Sequence, residues 1–402
     1  MKSFDVPIIY RSPLISAIKK KRKEEDRMKK DFSPTTLDFG PLKISLARHF
    51  GFCYGVENAI EIAFKTIQQN PGKRIFLLSE MIHNPQVNAD LQAQGIQFLQ
   101  DTKGQPLIPL DTLKPDDIVL IPAFGTTLEI EEKLKQAGIE TAPYNTTCPF
   151  VEKVWNRSEA IAKKKYTVII HGKPSHEETR ATFSHAAAHG PALVIKDMQQ
   201  AIELASMIQT NEPAHVFFEK FAGQYSAGFS PEKDLQRIGV VNQTTMLASD
   251  TQAIADFLKR TLVEKYQQED QVADTRDTLC YATLDNQTAV TGLLETRAQM
   301  AIVVGGYNSS NTSHLVELCE EKLPTFFIEN ASKLIATDTI THFDLHQRKE
   351  IKSHFPLLDK TPTHVLLTSG ASCPDALVEA VIERLIELVP GAQPIETAQA
   401  HF

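Results

Sequence analysis

Residues 44–69 read ISLARHFGFCYGVENAIEIAFKTIQQ. The apolar run Ile44–Ala47 ends in a glycine-flanked cysteine, Gly51-Phe52-Cys53-Tyr54-Gly55-Val56, and from Gly55 apolar residues recur at helical spacing through Gln69. Strand, loop and helix follow one another, with Cys53 in a tight turn at the helix N-terminus. Glycines let the backbone bend and leave room beside the sulfur, while the helix dipole and its free N–H groups favour thiolate over thiol. A metal ligand or a nucleophile belongs at such a place. A buried structural cysteine has the same local pattern, so this stretch alone leaves both readings open.

The same grammar recurs along the chain. Candidate strands are Lys43–Leu46, Arg74–Leu78, Ile118–Ile121, Thr167–His171, Ala192–Lys196, Ile238–Asn242, Met300–Gly305, Thr325–Ile328 and His364–Thr368. Runs of helical period follow at loop length, among them Leu128–Ala137, Ala201–Ile208, Asp250–Tyr266, Thr312–Lys322 and Pro374–Leu388. This alternation predicts an α/β fold of βαβ units with parallel sheets. A chain of 402 residues exceeds one ordinary core. The expectation is three small α/β modules, 41–147, 148–275 and 276–380, between an N-terminal extension (1–40) and a C-terminal tail (381–402).

Composition narrows the class. Apolar residues at 42% and charged residues at 23% suit a soluble globular protein, and a net charge of −8 argues against a nucleic-acid partner. No run approaches the apolar length of a membrane span, no signal peptide leads the chain, and five scattered cysteines make no disulfide framework, which together predict a cytoplasmic protein. The run KKKRKEEDRMKK (19–30) mixes signs at helical spacing and predicts a solvated helix rather than a nucleic-acid arm.

In parallel sheets function gathers beyond the carboxyl ends of strands. There stand Tyr307-Asn308-Ser309-Ser310-Asn311 and Ser369-Gly370-Ala371-Ser372-Cys373-Pro374, both just ahead of a helix. Plain N-caps account for either loop; two together suggest helix N-termini converging on an anion such as phosphate. Three further loops carry polar groups that capping does not need: Glu80-Met81-Ile82-His83-Asn84-Pro85, the 171–179 stretch HGKPSHEET, and Gln243-Thr244-Thr245. Cys148 lies in Asn145-Thr146-Thr147-Cys148-Pro149 and Cys280 in the 277–283 stretch DTLCYAT, far from Cys53 and from each other. Single cysteines at three helix starts can meet at the centre of a pseudo-threefold ring of modules and bind three irons of a cubane cluster, leaving the fourth open.

The segments GFCYGV, EMIHNPQV, NTTCPFV, HGKPSHEETRAT, NQTTM, LCYAT, VVGGYNSSNTSHL and TSGASCPD occur in the order and approximate spacing of the 4-hydroxy-3-methylbut-2-enyl diphosphate reductase family. The chain resembles its longer plant and cyanobacterial type over about residues 41–380, including an N-terminal extension and an insertion like that around Phe217–Leu235. The resemblance implies an enzyme of the methylerythritol phosphate route that reductively dehydroxylates the allylic diphosphate to isopentenyl and dimethylallyl diphosphate. It implies a 4Fe-4S cluster on Cys53, Cys148 and Cys280 with one open iron, and diphosphate contacts from His83, His176, Ser309, Ser310, Asn311 and Ser372. Glu178 matches the glutamate that delivers protons, and Thr244 the threonine that orients the substrate hydroxyl. A ferredoxin or flavodoxin is the implied electron donor.

One position departs from the short bacterial enzymes, which have a diphosphate-contacting histidine where this chain has Phe124, as the plant type does. Lys173, Thr126 and Thr127 are the candidates to replace it. Cys319 and Cys373 match no ligand and read as structural. Two other classes share parts of the pattern: a three-cysteine iron–sulfur lyase of the quinolinate synthase kind, and a non-enzymatic iron–sulfur redox protein. The first does not explain the Ser-Ser-Asn loop as well, and the second needs no set of His, Glu and Thr.

Overall fold

The computed structural model describes residues 4–210, 212–273 and 278–400. Asp277 and the expected 275/276 module boundary lie outside them. The chain forms two compact units, one built from the residues up to Glu57, His83–Val87 and Tyr281 onward, the other from Asn58–Ile82 and Asn88–Cys280.

The fold is mixed α/β with small parallel sheets. In the first unit the strands Leu42–Leu46, Thr363–Ser369, Met300–Val304 and Thr325–Ile328 lie side by side in that order, all parallel. Ile44, Leu46, Ile302, Val303, Val365 and Leu367 are fully buried among them, as a sheet covered on both faces requires. The strand Thr35–Asp38 pairs antiparallel along the outer edge of Leu42–Leu46. The second unit holds two parallel sheets, ordered 97–98, 75–77, 118–120 and 192–195, 167–171, 238–242. Every residue of Thr167–His171 and Ile238–Asn242 is buried.

Two features fall outside the βαβ grammar. Leu334–Ala336, Thr339–Asp344 and Lys349–His354 form an antiparallel meander in the first unit. Residues 4–40 are knitted into the same unit: Ser12 caps the helix Pro13–Glu25 by accepting the Ile15 N–H at 2.9 Å, and Leu14, Ile15 and Ile18 join the core. The expected helix over 19–30 is helical only to Glu25, where the charged residues form the outer part of a helix with an apolar inner face; residues 26–30 turn away beyond it, and Lys19 and Lys29 pair with Asp375 and Asp285.

Candidate active site

In the first unit three adjacent parallel strands end at one level, and the loops beyond them meet. Strand Leu42–Leu46 leads to the Cys53 turn, Thr363–Ser369 to Ser372, and Met300–Val304 to Ser309-Ser310-Asn311. The Ala371 peptide joins the three: its N–H donates to Asn311 Oδ1 at 2.8 Å, and its carbonyl accepts the Cys53 N–H at 3.1 Å. Ser309 caps the helix Ser310–Glu320, its hydroxyl accepting from the Thr312 N–H and from Thr312 Oγ1 at 2.9 Å. Ser372 donates to the His83 carbonyl at 3.0 Å, so the His83 segment belongs to the same loop cluster. Glycine is required here for space. A Cβ on Gly370 would stand 1.9 Å from Thr312 Oγ1, and one on Gly306 2.6 Å from the His83 carbonyl.

Ser309, Ser310 and Asn311 are each 4% exposed, and the Asn311 Nδ2 is buried with no hydrogen-bond partner. A buried amide donor without an acceptor costs about 1–3 kcal/mol, and an anion at the helix N-terminus would satisfy it. Gly51 takes φ +78°, the left-handed region that favours glycine, whereas Gly55 lies inside the helix Tyr54–Gln69. The bend beside Cys53 therefore comes from one glycine.

The second unit brings together Glu178, in the first turn of the helix that follows Thr167–His171, and Thr244, from the loop after the neighbouring strand Ile238–Asn242. Thr244 grips the carboxylate at both oxygens: its N–H donates to Oε1 and its hydroxyl to Oε2 at 2.9 Å. Both residues are buried. His176 is the N-cap of the helix Glu177–Ala187, its Nδ1 accepting the Glu178 N–H at 3.2 Å, which assigns the ring proton of a neutral His176 to Nε2. Gln243 Oε1 accepts from Thr179 Oγ1 at 3.0 Å and from the Lys173 N–H, tying the two loops together. Phe124 sets its ring edge-to-face against His176, centroids 5.6 Å apart. Of the three candidates to replace the missing histidine, Thr127 is engaged as the cap of the helix Leu128–Gln136, Thr126 is buried, and the Lys173 side chain is exposed.

All three candidate cluster cysteines stand immediately before a helix: Cys53 before Tyr54, Cys148 before Pro149 and Cys280 before Tyr281. Cys148 and Cys280 belong to the second unit and Cys53 to the first. Neither unit by itself gathers three or more His, Cys, Asp and Glu side chains in a metal-binding group among the described residues. Burial pushes the Cys148 thiol up to about 12; the Phe150 and Val151 amides pull it down, and the nearby Cys280 and Glu178 push it up. Cys148 is the N-cap of the helix Pro149–Lys163, and a thiolate there is favoured by the helix's N-terminal amides, a placement that fits a ligand of an iron–sulfur centre. Cys319 and Cys373 are fully buried, their thiols also pushed to about 12 by desolvation; Cys319 lies inside the helix Ser310–Glu320, and Cys373 closes a turn onto the Gly370 carbonyl ahead of the helix Asp375–Leu388.

Three contributors have a role that the sequence does not assign them. Gly370 and Thr312 sit inside the quoted motifs, but their mutual fit is visible only in three dimensions. Ala371 acts through its backbone, and no side-chain pattern reveals it.

Loops at the carboxyl ends of parallel strands that present thiols, a gripped carboxylate and an anion-ready helix start mark an α/β protein with its candidate functional groups where such sheets carry them. The chain belongs to the LytB protein family, whose sequence signature matches residues 44–386. It is 40% identical over 355 residues to a 4-hydroxy-3-methylbut-2-enyl diphosphate reductase of a Synechococcus species, covering 88% of this chain and 87% of that one. It is 38% identical over 356 residues to the reductase of the same name from Trichodesmium erythraeum, covering 88% and 86%. Two solved structures share the fold: the E-1-hydroxy-2-methyl-but-2-enyl-4-diphosphate reductase of Plasmodium falciparum (TM-score 0.63, 22% identity, 87% of this chain and 90% of that one) and an (E)-4-hydroxy-3-methyl-but-2-enyl diphosphate reductase titled the terminal enzyme of the non-mevalonate pathway (TM-score 0.52, 23% identity, 86% and 99%). The family's enzymes are iron–sulfur enzymes. Among the described residues no helix is long and apolar enough to cross a membrane.

Proposed function

We propose that this chain reduces 4-hydroxy-3-methylbut-2-enyl diphosphate to isopentenyl and dimethylallyl diphosphate, using a 4Fe-4S cluster held by Cys53, Cys148 and Cys280 with one open iron. The observation that carries the reading is the Glu178 carboxylate, buried and gripped at both oxygens by Thr244, in the unit that also holds Cys148 and Cys280. When bound, the cluster supplies single electrons and a Lewis-acidic iron that makes an allylic hydroxyl a leaving group.

The remaining work falls to the chain. The reaction takes up two electrons and two protons, breaks one C–O bond, and releases water and the C5 diphosphate. In its protonated form Glu178 donates to the departing oxygen; Thr244, whose hydroxyl and N–H face the same carboxyl, orients that proton and the substrate hydroxyl. Asn311, Ser309, Ser310 and Ser372, with His83 and His176, hold the diphosphate. Binding at that remote end positions the short carbon chain for reaction. A ferredoxin or flavodoxin delivers the electrons, and the cytoplasm is the proposed compartment.

The test is anaerobic reconstitution with iron and sulfide, chemical reduction, and assay of the diphosphate by chromatography. Conversion to the two C5 diphosphates is expected. A bound cluster without turnover would overturn the reductase reading in favour of a lyase or a redox carrier, and failure to assemble a cluster would remove the three cysteines from the site.

A further inference from the structure

Residues 4–19 end on the Cys53 turn from several directions. The Phe4 ring meets Tyr54 edge-on at 4.9 Å, and the Tyr10 ring meets Phe52 at 5.9 Å, so both chain neighbours of Cys53 are held by aromatic contacts from the N-terminal segment. Phe4 and Tyr10 are almost fully buried, as is Val6 between them. Arg11 braces the segment in cis: Nη2 donates to the Phe4 carbonyl at 2.9 Å and Nε to the Val6 carbonyl at 3.3 Å. Farther on, Lys19 Nζ binds both carboxylate oxygens of Asp375 at 2.7 and 2.9 Å and lies 4.7 Å above the Phe50 ring. Asp375 opens the helix that follows the Ser372 loop. Gly51 fits under this pair with no room to spare: a Cβ there would stand 2.3 Å from Asp375 Oδ1 and 2.9 Å from Lys19 Nζ.

We propose that residues 4–19 form a strap that fixes the Cys53 turn, with Phe4, Tyr10 and Lys19 as positioning residues for that thiol. A ligand's geometry is held by the residues around it as well as by the ligand itself. Here the neighbours on both sides are clamped by rings, and the loop base by an ion pair partly withdrawn from water. The strap acts on the same cysteine that the proposed function makes a cluster ligand, and rests on that reading only in the second arm of the test.

The first arm uses apoprotein. Alkylation of Cys53 and Cys148 by iodoacetamide is followed by peptide mass spectrometry under reducing, anaerobic conditions. In Phe4→Ala/Tyr10→Ala, loss of two edge-to-face pairs should raise the Cys53 rate about tenfold while the Cys148 rate stays put. Lys19→Met should raise it about threefold, the scale of a partly exposed ion pair, and Tyr10→Phe, which keeps the ring, should behave as the parent chain. An unchanged Cys53 rate in the double variant, or Cys53 and Cys148 rising in step, would overturn the proposal, the latter because it marks general loosening.

The second arm uses reconstituted protein in air, following the visible absorbance of the cluster. Faster bleaching in Phe4→Ala/Tyr10→Ala than in the parent is expected, and equal bleaching counts against the strap. Should the parent itself hold no cluster, the proposed function fails while the alkylation arm still decides this inference.

Discussion

In the proposed assignment the two units lean on different materials, with His176 the one member of the diphosphate set that the second unit supplies. The loops assigned to the diphosphate use neutral groups: hydroxyls, one carboxamide, helix N-termini and glycines that let backbone come close. The loops assigned to proton transfer bury a carboxylate and hold it between a hydroxyl and an N–H of one threonine. Fixed dipoles suit a ligand whose charge does not change during reaction. A group that must give up a proton needs a titratable side chain, and its orientation comes from its hydrogen bonds. Loss of a group from the first set should therefore weaken binding, and loss from the second should slow turnover.

The largest expected effect lies outside both sets. Cys148→Ser should remove the cluster's visible absorbance and with it essentially all turnover, since a hydroxyl does not replace a thiolate on iron. Retained absorbance would strike Cys148 from the ligands. Next in size, Glu178→Gln keeps the hydrogen-bonding shape but not the proton, and should lower kcat about 10²-fold or more with the cluster spectrum intact. A Glu178→Gln enzyme of full activity would erase the difference between the two units.

Asn311→Ala sharpens the comparison from the other side. It removes the buried Nδ2 that awaits an acceptor and the Oδ1 that anchors Ala371. A hydrogen bond to a charged group is worth about 1.5–3 kcal/mol, so KM should rise about tenfold to a hundredfold while kcat falls little. Steady-state kinetics separate the two, and a pure kcat effect would move Asn311 to the chemical half.

Much of this was legible because parallel strands are buried on both faces and announce themselves as β-branched runs. Thr167–His171, Ile238–Asn242 and Thr325–Ile328 fall on the residues expected, and the other strands of that set differ only at their ends. The polar loops 171–179 and 243–245 follow from the same rule, whereas Glu178 and Thr244 are singled out by the family resemblance, and their meeting rests on the adjacency of the two strands. The meander escaped because its strands are short and largely polar: Leu334 and Ile340 reach the core, but Lys349–His354 has Ile351 as its one apolar residue and none that is buried, so no apolar face marks it. Thr35–Asp38 escaped because it is a four-residue edge. Residues 4–25 read as an accessory segment because their charge is concentrated in sequence, whereas the partners that bind them, Tyr54, Phe52 and Asp375, lie far along the chain. No local pattern carries that information.

The smallest expected effect concerns Phe124, where this chain departs from the histidine of the short bacterial enzymes. Its ring packs on His176 at 83°, and His176 in turn caps the helix that carries Glu178. Phe124 thus stands behind a group of the binding set by packing rather than by charge. Phe124→Ala leaves the His176 cap in place but removes one wall of the imidazole, a contact worth about 0.5–1.5 kcal/mol. KM should rise a few-fold with kcat unchanged, and Phe124→Leu, which refills part of the space, should recover some of the loss. A fall in kcat instead would mean that the ring governs the Glu178 helix itself, so that the two functions are coupled through His176 rather than divided between binding and chemistry.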